Sequence, residues 1–86
     1  DHVQLYPNPS SLGEEVFVRM PKDDQETFDV RIDDAQGRKI TAFTIAHQSY
    51  TKLPAMDAAG CYFVRVSWTN YLGESQSETL KWLPYE

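Results

Sequence analysis

Cysteine is almost missing: Cys61 is the single thiol in 86 residues. One thiol makes no internal disulfide and no cysteine-rich zinc site. In a strand-like run it reads as a small buried hydrophobe rather than a nucleophile. Histidine is confined to His2, near the N-terminus, and His47, in the Ala46-His47-Gln48 turn. Neither belongs to an H-E-x-x-H helix, and no G-x-S-x-G turn is present, so the parts of a zinc peptidase or a Ser-His-Asp hydrolase are lacking. No metal site is expected from His2, His47 and Cys61, and no cofactor is implied. The four glycines are scattered one per turn and cradle no phosphate. Bases are outnumbered, 8 against 13 acids, for a net charge of −5. Nucleic-acid and anionic-membrane binders need a positive face, so neither partner is expected. Apolar runs fall far short of the ~20 residues that span a bilayer, so no membrane insertion is expected. The start does not resemble a signal peptide, so in an exported protein this stretch would not be the leading end. Asn8-Pro9-Ser10 has the outline of a glycosylation sequon, but proline in the middle position disqualifies it.

The acids are unevenly spread. Residues 1–34 hold nine acids and three bases, and residues 35–86 hold four acids and five bases. Asp23-Asp24 reads as a solvated loop and Asp33-Asp34 as an acidic turn. Neither pair has the spacing of a calcium-binding loop. What is plentiful is apolar surface, 41% of residues, with 13% aromatic. That suffices for one packed domain over residues 1–86. A chain this short buries only roughly 60–65% of its unfolded surface, so each large side chain matters.

The patterning is all strand. Residues 27–33 alternate with period two: Phe28, Val30 and Ile32 face one way, Asp29 and Arg31 the other. Asp34-Ala35-Gln36-Gly37 follows as a turn, and residues 38–46 complete a hairpin. In that second strand Ile40 points opposite to Phe43 and Ile45, which predicts a bulge or a bend where the strand crosses between sheets. Residues 15–20 form another strand, closed by Pro21, and residues 49–53 a short one ended by Pro54. Residues 55–60 favour helix but are too few to hold one. Residues 61–69 are the strongest strand, with Tyr62, Val64, Val66 and Trp68 on one face and Phe63 and Arg65 on the other. After a turn at residues 70–74, residues 77–83 make the last strand, stopped by Pro84. With residues 4–6, about seven strands and no convincing helix result. The pattern predicts a small antiparallel β-sandwich, immunoglobulin-like. Trp68 and Trp82 are expected to be at least partly buried.

Four motifs in order are more specific than any of this. They are Leu5-Tyr6-Pro7-Asn8-Pro9, the hairpin Ile32-Asp33-Asp34-Ala35-Gln36-Gly37-Arg38-Lys39, the strand Gly60-Cys61-Tyr62-Phe63-Val64-Arg65-Val66, and a basic, apolar final strand. Together they resemble the C-terminal sorting domain of the type IX (Por) secretion system of Bacteroidetes, over residues 5–83. The two prolines around Asn8 fix φ twice and remove two backbone donors. Two features depart from the family pattern: the final strand carries a single lysine, has Trp82 at the expected aliphatic position and runs on into Pro84-Tyr85-Glu86, and Cys61 stands where an aliphatic residue or Thr is commoner.

The resemblance implies a signal, not an enzyme. Similar domains end larger exported proteins, are recognised folded in the periplasm by the translocon, and are usually removed by a sortase-like cysteine peptidase. That peptidase joins the cargo to surface lipopolysaccharide. The implied location is the periplasm in transit, then the outer-membrane surface or the medium, with a cargo domain ahead of residue 1. The residues expected to be read are Tyr6, Pro7, Asn8, Pro9, Gly37, Gly60, Lys81 and Trp82. Residues 77–83 are the expected open edge, with Lys81 as a cation, Trp82 as an aromatic anchor and edge-to-edge dimerisation as a consequence. A retained surface anchor or adaptor of the same family is the alternative. Two others are a carbohydrate-binding sandwich using Trp68, Tyr71 and Tyr85, and an immunoglobulin-like adhesion spacer.

Overall fold

The computed structural model describes residues 2–21, 27–46 and 50–86. Along these run nine strands: β1 (Gln4–Tyr6), β2 (Ser10–Ser11), β3 (Phe17–Arg19), β4 (Thr27–Asp34), β5 (Lys39–Ala46), β6 (Tyr50–Lys52), β7 (Tyr62–Thr69), β8 (Ser75–Trp82) and β9 (Pro84–Tyr85). Period-two alternation decides the larger layer. Phe28, Val30 and Ile32 of β4 are at most 2% exposed, and Val64 and Val66 of β7 are fully buried. Register sets them in rows across an antiparallel sheet of order β5-β4-β7-β8: Ile32 opposite Val64, and Val64 opposite Leu80. The smaller antiparallel sheet, β1-β3-β6, faces it with the row Leu5–Val18–Thr51. Val3, Val16, Val18, Met20 and Leu53 from this side join Phe28, Ile45 and Trp82 in one core. The expected small β-sandwich is therefore what forms, and no helix occurs among the described residues.

Three local expectations change. The strand expected at residues 61–69 starts one residue later, as β7, with Cys61 half-buried just before it, and the strand expected at residues 77–83 runs over Ser75–Trp82, as β8. Pro84 does not end strand structure: after a break at Leu83 it opens β9, which pairs in parallel with β2. A proline can hold the first place of an edge strand because its ladder needs no donor there. The predicted irregularity in β5 is real. Ile32 pairs with Thr41 and Asp33 with Lys39, which leaves Ile40 as the extra, 46% exposed residue of a bulge. The strand nevertheless stays in one sheet, as its edge, and does not cross over.

The same turn closes both long hairpins. Gly37 N–H donates to Asp34 O (3.0 Å), and Gly73 N–H donates to Asn70 O (2.9 Å). Both glycines take φ near +80° (84° and 81°), a left-handed setting that strains any other residue. In each turn a side-chain oxygen caps two backbone donors. Asp34 Oδ1 accepts from Gln36 N and Arg38 N, and Asn70 Oδ1 accepts from Leu72 N and Glu74 N. Asp34 Oδ2 also accepts from Arg38 Nε at 2.9 Å. The acidic turn is thus a hairpin device, with its oxygens occupied by N–H groups. Asp23-Asp24 lies outside the described residues.

The Arg38 backbone N–H holds the Asp34 carboxyl below its ordinary value of 3.8, helped by the Arg38 guanidinium and the Gln36 N–H. A depressed folded value means that the stabilisation is complete above the unfolded value and is lost as pH falls through the folded one. Asp34→Asn keeps the capping oxygen and removes the charge. Its melting temperature should fall less than that of the native chain between pH 6 and pH 3, a window set by that ordinary value and the downward shift. Equal slopes in a thermal melt series would show that Asp34 has no part in acid sensitivity.

Candidate recognition surface

The Tyr6-Pro7-Asn8-Pro9 segment leaves β1 and crosses the rim of the sandwich beside β8, with all four residues exposed. Both X–Pro bonds, Tyr6–Pro7 and Asn8–Pro9, are cis. The prolines have no N–H to offer a neighbouring strand, so the side chain between them does the pairing. Asn8 Nδ2 donates to Lys81 O (2.7 Å), and Asn8 Oδ1 accepts from Leu83 N (3.1 Å). One primary amide thus supplies a donor and an acceptor in the place of a strand residue. Next along the chain, Ser10 N donates to Leu83 O and Leu12 N donates to Tyr85 O. Gly60 N donates to Pro84 O at 3.1 Å, so the tail is held between the N-terminal segment and the turn before β7. At the other end of β1, Glu78 receives Val3 N and His2 Nδ1, both at 3.2 Å.

Seven of the eight expected residues therefore meet at one rim: Tyr6, Pro7, Asn8, Pro9, Gly60, Lys81 and Trp82. Gly37 does not. It lies in the β4–β5 hairpin, with β7 between β4 and β8. Trp82 also departs from its expected role. It is 3% exposed, with its ring against Tyr62 at 5.9 Å, and offers nothing to a partner. Parity explains this: Leu80 and Trp82 share the inner face of β8, and Lys81, opposite Phe63, points outward. The exposed apolar residues at this rim are Tyr6 (43%), Leu83 (38%) and Tyr85 (52%).

β8 is an edge strand, as expected, but Asn8 caps its C-terminal end at Lys81 O and Leu83 N, and Glu78 holds His2 and Val3. The opposite edge, β5, carries two of the devices that normally protect an edge, Lys39 at its start and the bulge at Ile40, while residues 41–46 contain no charge or proline. The aromatics expected for carbohydrate binding are split. Trp68 packs against Phe28 (5.7 Å), and Tyr71 stands 79% exposed in the β7–β8 turn. Tyr85 lies beyond the far end of β8, about 25 Å away at ~3.3 Å per strand residue.

A different aromatic group, missed when the strands are read singly, lies on the outer face of the small sheet. Tyr6 pairs with Phe17 and Phe17 with Lys52; Gln4 pairs with Arg19 and Arg19 with Tyr50. Among the described residues no group of three or more His, Cys, Asp or Glu could hold a metal ion. His47 falls outside them. No family model, curated protein or solved structure matches the chain.

Proposed function

We propose that this chain is a non-catalytic signal domain of the type IX sorting class. On this reading it is an immunoglobulin-like sandwich that marks an exported cargo for the translocon. The observation that carries the reading is the assembly of Tyr6-Pro7-Asn8-Pro9, Gly60 and the final strand into one hydrogen-bonded rim. Three motifs far apart in sequence meet there, and the rim leaves Lys81, Leu83 and Tyr85 exposed for a partner. A partner gripping the rim would contact Tyr6 on one side and Lys81 on the other. Exposed tyrosines such as Tyr6 and Tyr85 are the usual anchors of such contacts, with Lys81 as a charge at their margin.

The test is a fusion of residues 1–86 to an inert periplasmic reporter in a type IX host. The reporter should reach the cell surface or the medium, and its size there distinguishes a removed tag from a retained anchor. Deleting residues 77–86 is a poor control, because it removes β8 and a core tryptophan. Lys81→Glu with Tyr85→Ser alters exposed side chains only. This double variant should cut delivery by about ten-fold or more, the loss of one modest contact's worth of binding, with an unchanged melting temperature. Retention of the native fusion in the periplasm, or full export of the double variant, would refute the proposal.

A further inference from the structure

The outer face of β1-β3-β6 is a small grid of side chains. Its first row is Tyr6, Phe17 and Lys52, and its second is Gln4, Arg19 and Tyr50. The Tyr6 and Phe17 rings are 5.7 Å apart and stacked at 24°, and Tyr50 meets Phe17 edge-on at 5.9 Å. Tyr50 is 54% exposed. The grid runs into an open groove of about 830 Å³ bounded by Gln4, Tyr6, Asn8, Arg19, Tyr50 and Leu80. Although the chain carries a net −5, among the described residues no carboxylate lines the groove, and the one charge there is that of Arg19. Arg19 has no ion pair among the described residues, whereas Lys52 in the neighbouring row is held by Glu15 at 3.2 Å.

From this we infer a binding site for an acidic oligosaccharide. The C–H face of a pyranose is apolar and flat, and it stacks on an exposed ring as another aromatic would. The sugar's rim of hydroxyls needs planar polar side chains. Gln4 supplies an amide, and Asn8 keeps a second N–H and a second lone pair beyond those used on β8. The Arg19 guanidinium offers a fork to a sugar carboxylate. An extended peptide fits this face less well. Peptides that add to sheets take backbone hydrogen bonds from an edge. β1 is such an edge and residues 3–6 line the groove, so a peptide would add there, whereas the aromatic face beside it has its central strand, β3, already paired on both sides. The remaining donors and acceptors of that face are side chains, which suits a hydroxyl-rich ligand.

The site does not depend on export, and its test needs only the purified chain. Trigalacturonate and a hyaluronan tetrasaccharide are titrated by NMR, with maltotriose and a tetraglutamate peptide alongside. At least one acidic sugar should bind with a Kd below about 1 mM and shift residues 4–6, 17–19 and 50–52. Maltotriose and tetraglutamate should each bind about ten-fold or more weakly. Tyr50→Ala and Arg19→Gln should each cost about ten-fold in affinity, with native melting temperatures. Absence of shifts with both acidic sugars, equal binding of tetraglutamate, or undiminished binding by Tyr50→Ala would overturn the inference.

Discussion

Replacing Trp82 by alanine is expected to leave the chain at the edge of unfolding at room temperature. The indole closes the inner row at the end of β8, against Tyr62 and 3% exposed. It also roofs a small cavity shared with Ser10, Leu53, Met56 and Pro84. Truncating a buried tryptophan to alanine costs about 3–5 kcal/mol. At about 0.05–0.15 kcal/mol per residue, the 86 residues hold about 4–13 kcal/mol in all, and a thin-cored domain at the low end of that range has little more to lose. Trp82→Phe separates packing from polarity. The Trp82 Nε1–H is buried without a hydrogen-bond partner, as is Ser10 Oγ. An unpaired buried donor costs about 1–3 kcal/mol, so removing it offsets part of the lost volume. Urea denaturation followed by circular dichroism should therefore place Trp82→Phe much closer to the native chain than to Trp82→Ala. A native midpoint for Trp82→Ala would mean that the indole is not part of the core.

That result bears on what the sequence makes legible. The alternation of Phe28, Val30 and Ile32 names its own inner face, and β4 forms almost where residues 27–33 predict. The Asp34-to-Gly37 and Asn70-to-Gly73 turns are equally plain, because only glycine takes the last position without strain. Trp82 was open to correct assignment by parity with Leu80, yet a tryptophan beside a lysine also resembles a binding anchor. The β2–β9 pair is illegible for a physical reason: two residues carry no period, and Pro84 reads as a stop. The rim is only half legible. Pro-Asn-Pro announces a segment that cannot offer ladder donors, but the carbonyl of Lys81 lies 73 residues away and no local rule joins them. Glu78 is similar. Its place opposite Val66 looks like a polar misfit on the inner face until Val3 N and His2 are found on its oxygens. The aromatic platform escapes single-strand reading because Tyr6, Phe17 and Tyr50 come from three strands.

Asn8→Asp should destabilise the chain in a pH-dependent way that Asn8→Ala does not share. In the native rim Nδ2–H donates to Lys81 O, and Oδ1 accepts from Leu83 N. Alanine removes both bonds but leaves the freed groups near water, a loss of about 1–3 kcal/mol for two hydrogen bonds. A carboxylate keeps the acceptor for Leu83 N and sets a second negative oxygen against the Lys81 carbonyl. At neutral pH the aspartate variant should therefore be the least stable of the three. Once protonated, the same group is nearly isosteric with the amide, and its O–H can donate to Lys81 O. The carbonyl thus raises the folded value of the introduced carboxyl above the ordinary one of about 3.9. For a raised folded value, stability is fully present below the unfolded value and is lost as pH rises through the folded one. The gap between native and aspartate chains should accordingly be small near pH 3 and reach its full size by about pH 6. Comparing both chains at each pH cancels the acid sensitivity of Asp34. If the gap is the same at both ends of that range, or if Asn8→Ala melts with the native chain, the side-chain amide does not hold β8 to the N-terminal segment.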